Sequence, residues 1–420
     1  MTKIIPLIRR SQCITAAVPL AARQEPVRSL YIHIPFCFHK CHYCDFYSLV
    51  DTQDRQSAFV EALVRELSVL SPHAAGSSSG GLATVFIGGG TPTLLAQPLW
   101  RRLLAVLHDL FAISAATEFT VECNPETASA SLFALLREGG VNRMSIGAQS
   151  FDARHLRTLE RWHDPENVER ALSLAARAGI KRRSLDLIFA IPGQSLDDWQ
   201  TDLEKALSLC GGVGSTSGGI DHLSCYSLTY EPGTPLTARR DHGEIQPLDE
   251  ETECRMFEYT GERLLQAGLA RYEISNFSVP RSECRHNLNY WRQEQWLAAG
   301  PSASAFVAGH RWKNVARLGD WLDGVRASRG YSPITDHEPP DARRLLAERI
   351  MTGLRLSEGL DAGAILREAR SISAADRLQR ASKLMINSGC LLESDGRWRL
   401  SPAGLLVADS VATTLMAALD

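Results

Sequence analysis

Three thiols stand close together in the run Tyr31-Ile-His-Ile-Pro-Phe-Cys37-Phe-His-Lys-Cys41-His-Tyr-Cys44-Asp-Phe46, spaced C-x3-C-x2-C just past a short apolar stretch. A zinc ion closed by cysteines takes four ligands, usually as two C-x2-C pairs, and no second pair occurs in the chain. Three local thiolates suit a four-iron, four-sulfur cluster with one iron left open, and an open iron can chelate a small molecule. A chance cluster of buried thiols, or zinc completed by His39 or His42, is the other reading of the same residues.

Two further layers of residues carry chemistry. Gly88-Gly-Gly-Thr-Pro92 directly follows the apolar run Thr84–Ile87. Glycines there let a backbone approach a ligand closely and take positive φ. Glu122, Gln149, Arg161 and Asp186 follow at or near the ends of later runs. A carboxylate inside an apolar strand, such as Asp186, needs a partner or a ligand. A ribose diol or a cationic ligand would satisfy this set; a structural ion pair such as Glu122 with Arg161 is the plainer alternative.

The elements that must position these residues alternate. β-rich runs at Ser29–Ile34, Thr84–Ile87, Glu118–Glu122, Arg143–Gly147, Ser184–Phe189 and Leu223–Thr229 are separated by amphipathic stretches near 55–71, 97–111, 127–138, 152–178 and 195–209. That order predicts an α/β fold with a parallel sheet and right-handed crossovers, whose ligands sit at the carboxyl ends of the strands. Gly76–Gly81 and Gly211–Gly219 read as flexible surface loops. Asp249–Ala267 reads as an amphipathic helix and Tyr272–Phe277 as a following strand or loop. Residues 316–340 read as a linker ending in Glu338-Pro-Pro340. From Asp341 a helical region, a glycine stop and a short hairpin resemble a winged-helix module. The expected division is therefore a disordered or targeting lead-in over 1–27, a core over 28–240, an extension over 241–335 and a carboxy-terminal domain over 341–420.

Composition narrows the function class. The 420 residues carry a net charge of −3 with balanced signs, which does not favour nucleic acid or an anionic membrane as a partner. No apolar run is long enough to span a bilayer. Cys13, Cys123, Cys210, Cys225, Cys254, Cys284 and Cys390 are scattered and read as core or surface thiols, and an open iron–sulfur site implies the reducing cytoplasm. Residues before Glu25 lack acids and include Arg9, Arg10 and Arg23, a weak targeting pattern beside the plainer one of disorder.

The cysteine spacing resembles that of the radical S-adenosylmethionine (SAM) superfamily. That resemblance implies that Cys37, Cys41 and Cys44 hold the cluster, and that Tyr31, Tyr43, Gly89, Gly90, Thr91, Glu122, Gln149, Arg161 and Asp186 surround SAM. Taken with Asn124-Pro-Glu126, Ser184–Gln194 and Tyr230-Glu-Pro-Gly-Thr234, the chain from about residue 28 to its end resembles the oxygen-independent coproporphyrinogen III oxidase family. It implies a partial (β/α)6 barrel with a carboxy-terminal α+β extension. The family includes oxidases, which carry a fourth cysteine where this chain has Phe46, and haem chaperones, whose H-N-x-x-Y-W motif is matched by His286-Asn-Leu-Asn-Tyr-Trp291. The resemblance thus implies haem as ligand, His286 as its candidate axial ligand, apo-haemoproteins as acceptors, and a possible homodimer, with the oxidase as the alternative function. Two departures stand out. Ala298–Ser304 lacks the histidine of the family's loop near the adenine, and Glu160 replaces a more usual glycine.

Overall fold

Short β-rich runs that alternate with amphipathic stretches suit a parallel sheet covered by helices. The computed structural model, which describes residues 14–23, 25–211 and 219–420, has this arrangement. Its main sheet contains Ser29–Ile34 (β1), Thr84–Gly89 (β2), Glu118–Cys123 (β3), Arg143–Gln149 (β4), Arg182–Phe189 (β5) and His222–Ser227 (β6). These six are neighbours in chain order and all parallel. Strand order never reverses, so the sheet has no switch point and curls as a partial barrel, its carboxyl ends facing one opening. Leu297–Ala299 adds a parallel strand beside β1, and Asn276–Ser278 with Ala270–Glu273 an antiparallel pair beside β6.

Helices cover the outer face: Gln56–Leu70 (α1), Gln97–Leu110 (α2), Ala130–Glu138 (α3), Ala153–Thr158 (α4), Glu166–Arg177 (α5) and Leu196–Ser208 (α6). Their spacing explains the packing. α2 buries Trp100, Leu103, Leu104 and Leu107, and α5 buries Val168, Ala171, Leu172 and Ala175, each one stripe of a helix. α6 opens with a reciprocal cap, in which Ser195 Oγ accepts the Asp198 N–H at 3.1 Å and the Asp198 carboxylate accepts the Ser195 N–H at 2.9 Å.

Three expectations are corrected. The stretch 152–178 is two helices, because Glu160 turns the chain through a left-handed conformation (φ 49°) at the end of α4. The supposed linker 316–340 holds a helix, Leu318–Ala327, and a strand, Ile334–Glu338, and buries Trp321 and Val325 in the main core. The lead-in does not trail away up to residue 27. Ala17–Leu20 is helical, the Ala16 N–H donates to Ser332 O at 3.0 Å, and Ala16, Leu20 and Val27 are buried. Residues 1–13, including Cys13, and most of the Gly211–Gly219 loop lie outside the described residues. The Gly76–Gly81 loop contains a single helical turn, Ser77–Ser79.

Beyond Pro340 the order is helix Ala342–Gly353, strand Leu360–Asp361, helices Ala362–Ser371 and Ala375–Asn387, then the hairpin Leu391–Ser394 and Arg397–Leu400. That is the order of a winged helix, packed on its own core of Leu346, Ile350, Ile365, Leu378, Trp398 and Leu415. Two more helices, Pro402–Leu406 and Ala408–Ala417, close the chain.

One buried acid ties α1 to the extension. Glu66 accepts the Gly300 N–H at 2.7 Å and the Asn314 Nδ2–H at 2.9 Å. Burial pushes its pKa from 4.5 up to about 8. Between those values the folded chain holds a proton that the unfolded chain has released, so this residue's contribution to stability falls as pH rises through that window. The Tm of the wild type should therefore drop more than that of Glu66→Gln between about pH 6 and about pH 9; equal drops in both proteins would contradict this.

Candidate functional site

Cys37 ends a short strand, Phe36–Cys37, that pairs with Leu49–Val50, and the loop between them carries Cys41 and Cys44. Cys41 is buried and the other two are half-buried. The three sulfurs do not all lie within 4.8 Å of one another, and neither His39 nor His42 joins them in a group that compact. A single tetrahedral zinc with bonds of about 2.3 Å would need sulfurs roughly 3.8 Å apart, so the cradle is too wide for one ion as it stands. Burial pushes the Cys44 thiol up to about 11 and raises that of Cys37, so a positive metal centre is what these thiols need in order to ionise. Arg161 Nη1 already approaches Cys41 Sγ at 3.8 Å. The donor set and its spacing fit an iron–sulfur cluster.

The glycine segment is docked onto this loop through its backbone. The Gly90 N–H donates to Ile34 O at 2.8 Å and the Thr91 N–H to Phe36 O at 2.7 Å, and Thr91 Oγ1 lies 3.5 Å from Cys37 Sγ. Gly89 has φ 112°, and a Cβ at Gly90 would stand 2.8 Å from Phe36 O and the Pro35 carbonyl carbon. Side chains are excluded at both positions by conformation and by space.

Behind the cluster loop the barrel encloses a cavity of about 850 Å³. Its wall follows the alternation of the strands: Thr120 and Glu122 on β3, Ser145, Gly147 and Gln149 on β4, Ser184 and Asp186 on β5, and His222, Ser224 and Tyr226 on β6. The Glu122 carboxylate accepts the Gly89 N–H at 3.0 Å, and burial, then the nearby Asp186, pushes its pKa up to about 8. Asp186 is also raised by burial, against the Ser145 hydroxyl at 3.0 and 3.1 Å from its two oxygens. Two carboxylates in one buried space favour a cationic guest with hydroxyls to share, and SAM offers both.

Two left-handed residues bring side chains into this space. Gln149 has φ 63° at a register shift in β4. Glu160, also left-handed, swings the chain so that Arg161 reaches inward, its Nη2 donating to Gly147 O at 3.1 Å. The same φ accounts for the more usual glycine at position 160. Such conformations concentrate at binding sites, where the surroundings over-determine them.

Of the expected SAM residues, Tyr43, Gly89, Gly90, Thr91, Glu122, Gln149, Arg161 and Asp186 line the cavity together, and Tyr31 does not. The Tyr31 hydroxyl instead lies 3.0 Å from His33 Nδ1 in the wall. Ala298–Ser304 does not line it either, being held by Glu66 through Gly300. Sequence reasoning missed Ser145 and Ser224, although a polar residue two positions from Gly147 or Tyr226 on a half-apolar strand is the signal that would have found them.

The candidate haem ligand His286 lies inside the fold, beside the amino ends of β1 and β2. His286 is fully buried, with Nδ1 2.7 Å from Thr84 Oγ1, Nε2 2.8 Å from the Tyr290 hydroxyl, and its ring stacked on Phe86. Burial holds it neutral, with a pKa of about 3. Both nitrogens are occupied and neither is presented to a ligand. Trp291 lies under the Arg355 guanidinium at 4.5 Å, and Asn289 Oδ1 accepts from Ser29 Oγ at 2.9 Å. The helix Arg285–Trp291 is thereby fastened to the amino ends of β1 and β2. His33 and His222 are likewise bonded at both nitrogens.

Comparison with known proteins agrees with this geometry. Residues 31–206 match the radical SAM superfamily and residues 341–407 the HemN C-terminal domain. The chain is 34% identical to a protein named heme chaperone HemW from Mycobacterium tuberculosis, over 92% of this chain and 94% of that one. It is 38% identical to the Escherichia coli heme chaperone HemW over 67% of this chain and 71% of that one. The solved structure of coproporphyrinogen III oxidase (HemN) from Escherichia coli, described as a radical SAM enzyme, has the same fold, with a TM-score of 0.79 at 22% identity over 95% of this chain and 92% of that chain.

The packing of His286 predicts a structural phenotype. His286→Ala should lower unfolding free energy in denaturant by about 2–4 kcal/mol, for two lost hydrogen bonds and a cavity, while reconstituted iron content stays at the wild-type level. Unchanged stability with lost ligand binding would return His286 to a ligand role.

Proposed function

This chain belongs to the HemW family of the radical SAM superfamily, and from that premise we propose that it is a haem chaperone, binding haem and passing it to apo-haemoproteins. The observation that carries the reading is the 34% identity sustained over 94% of a heme chaperone's length. Cys37, Cys41 and Cys44 would hold the four-iron, four-sulfur cluster. When bound, the cluster supplies an open iron for the amino and carboxylate groups of SAM and an electron for its sulfonium.

The chain's own residues do the rest. Arg161 offsets the negative charge of the thiolates and of a reduced cluster, since its guanidinium already faces Cys41. Glu122 and Asp186 supply the negative charge and acceptors that a cationic, diol-bearing ligand needs, and each gains a counter-charge for its buried carboxylate when that ligand arrives. Gly89 and Gly90 leave room for the ligand against the backbone. No helix among the described residues is long and apolar enough to cross a membrane. We place the protein in the cytoplasm, where an exposed iron of this kind stays reduced.

Haemin titration of the reconstituted protein, beside an assay with coproporphyrinogen III under reducing, SAM-replete conditions, tests the proposal. About one haem per chain and no protoporphyrinogen is the expected result; turnover without haem binding would assign the chain to the oxidase reaction instead. In the same preparation Asp186→Ala should bind SAM roughly tenfold to a hundredfold more weakly, the loss of one charged hydrogen bond, with the cluster spectrum unchanged. Wild-type affinity in that variant would make Asp186 a structural residue.

A further inference from the structure

The cavity has two unlike ends. Its interior is polar, but its mouth gathers four exposed large apolar side chains from three distant parts of the chain: Phe46 at 62% exposure, Tyr226 at 41%, Leu406 at 37% and Val407 at 43%. Phe46 sits on the cluster loop, Tyr226 on the outgoing end of β6, and Leu406 and Val407 where the last two helices of the carboxy-terminal region meet. Exposed apolar side chains scattered singly need no explanation, but a group converging on the rim of one cavity marks a binding surface.

We propose that this mouth is the haem site, with the macrocycle held between Phe46 and Tyr226 of the barrel and Leu406 and Val407 of the carboxy-terminal segment, above the space that suits SAM. The inference rests on the haem-chaperone reading and gives it a place. A haem ring is a broad flat apolar surface and is held by apolar cover. His286, His33 and His222 already have both nitrogens bonded inside the fold. Acidic residues on the same rim, Asp45 and Asp409, are exposed and would repel haem carboxylates, so the propionates point out to solvent and the ring edge points in. A ring held at an open rim by contacts from two separate regions can be released to an acceptor when those regions part; a ring sealed in the barrel could not. Cluster and SAM chemistry below it are left intact by this placement.

The test uses the full-length, cluster-loaded protein and haemin as the probe. Wild type, Phe46→Ser, the double variant Leu406→Ser/Val407→Ser, and His286→Gln are titrated by the Soret band, with iron content measured to normalise each. Each rim variant should bind haemin about tenfold or more weakly, as expected when one or two large apolar contacts are lost, and the Leu406/Val407 variant should keep wild-type SAM affinity. His286→Gln should retain haemin binding wherever it stays folded. In wild type, haemin should also slow amide exchange in residues 402–410. Rim variants that bind within twofold of wild type, with no protection of that segment, would overturn the site while leaving the chaperone reading standing. A wild type that binds no haemin would remove both, and the two failures are told apart by that lane alone.

Discussion

The site depends on a contact in which no side chain takes part. The glycine segment after β2 lies against the strand that leads into the cysteine loop, joined by the N–H groups of Gly90 and Thr91 to the carbonyls of Ile34 and Phe36. A Cβ at Gly90 would come within 2.8 Å of that backbone, so the approach exists only because the residue is glycine. This contact sets the thiols of one βα unit beside the ligand-binding backbone of the next. The remaining strands then add one polar side chain or more each at the same opening, because in a parallel barrel all carboxyl ends face the same way.

Charge is the second constraint. Glu122 and Asp186 share a buried space in which burial raises both carboxyls and Asp186 adds to the rise at Glu122, while Arg161 Nη1 faces Cys41. A cationic ligand would relieve that cost at the carboxylate end, and a cluster would complete the cysteine end. The fold shared with a coproporphyrinogen III oxidase does not by itself decide what the completed site does. One difference lies at the rim, where Phe46 takes a position that the sequence resemblance gives to cysteine in the oxidases.

How much was legible in the sequence follows from how local each feature is. The six barrel strands could be read because short β-rich runs alternate with helical patterns, and their observed bounds lie within a few residues of the runs. The break between α4 and α5 is signalled by Asp164-Pro165 just ahead of α5, while the left-handed turn at Glu160 that ends α4 leaves no such mark in the sequence. The segment 316–340 looked like a linker for its polar residues, yet Trp321 and Val325 at helical spacing carry its burial. The engagement of His286 is only half local: Tyr290 stands four residues on in the same motif, but its other partner, Thr84, lies 202 positions away. The reach of Leu405–Ser410 to the cavity is equally non-local.

The central claim is that three cysteines hold a cluster whose fourth iron is open to SAM inside the barrel. Electron paramagnetic resonance of the anaerobically reconstituted and reduced protein, with and without SAM, tests it most directly, alongside the Cys41→Ala variant. The account predicts about four irons per chain, a cluster signal whose g values shift when SAM is added, and loss of both iron and signal in the variant. A signal indifferent to saturating SAM, or iron retained without Cys41, would contradict it.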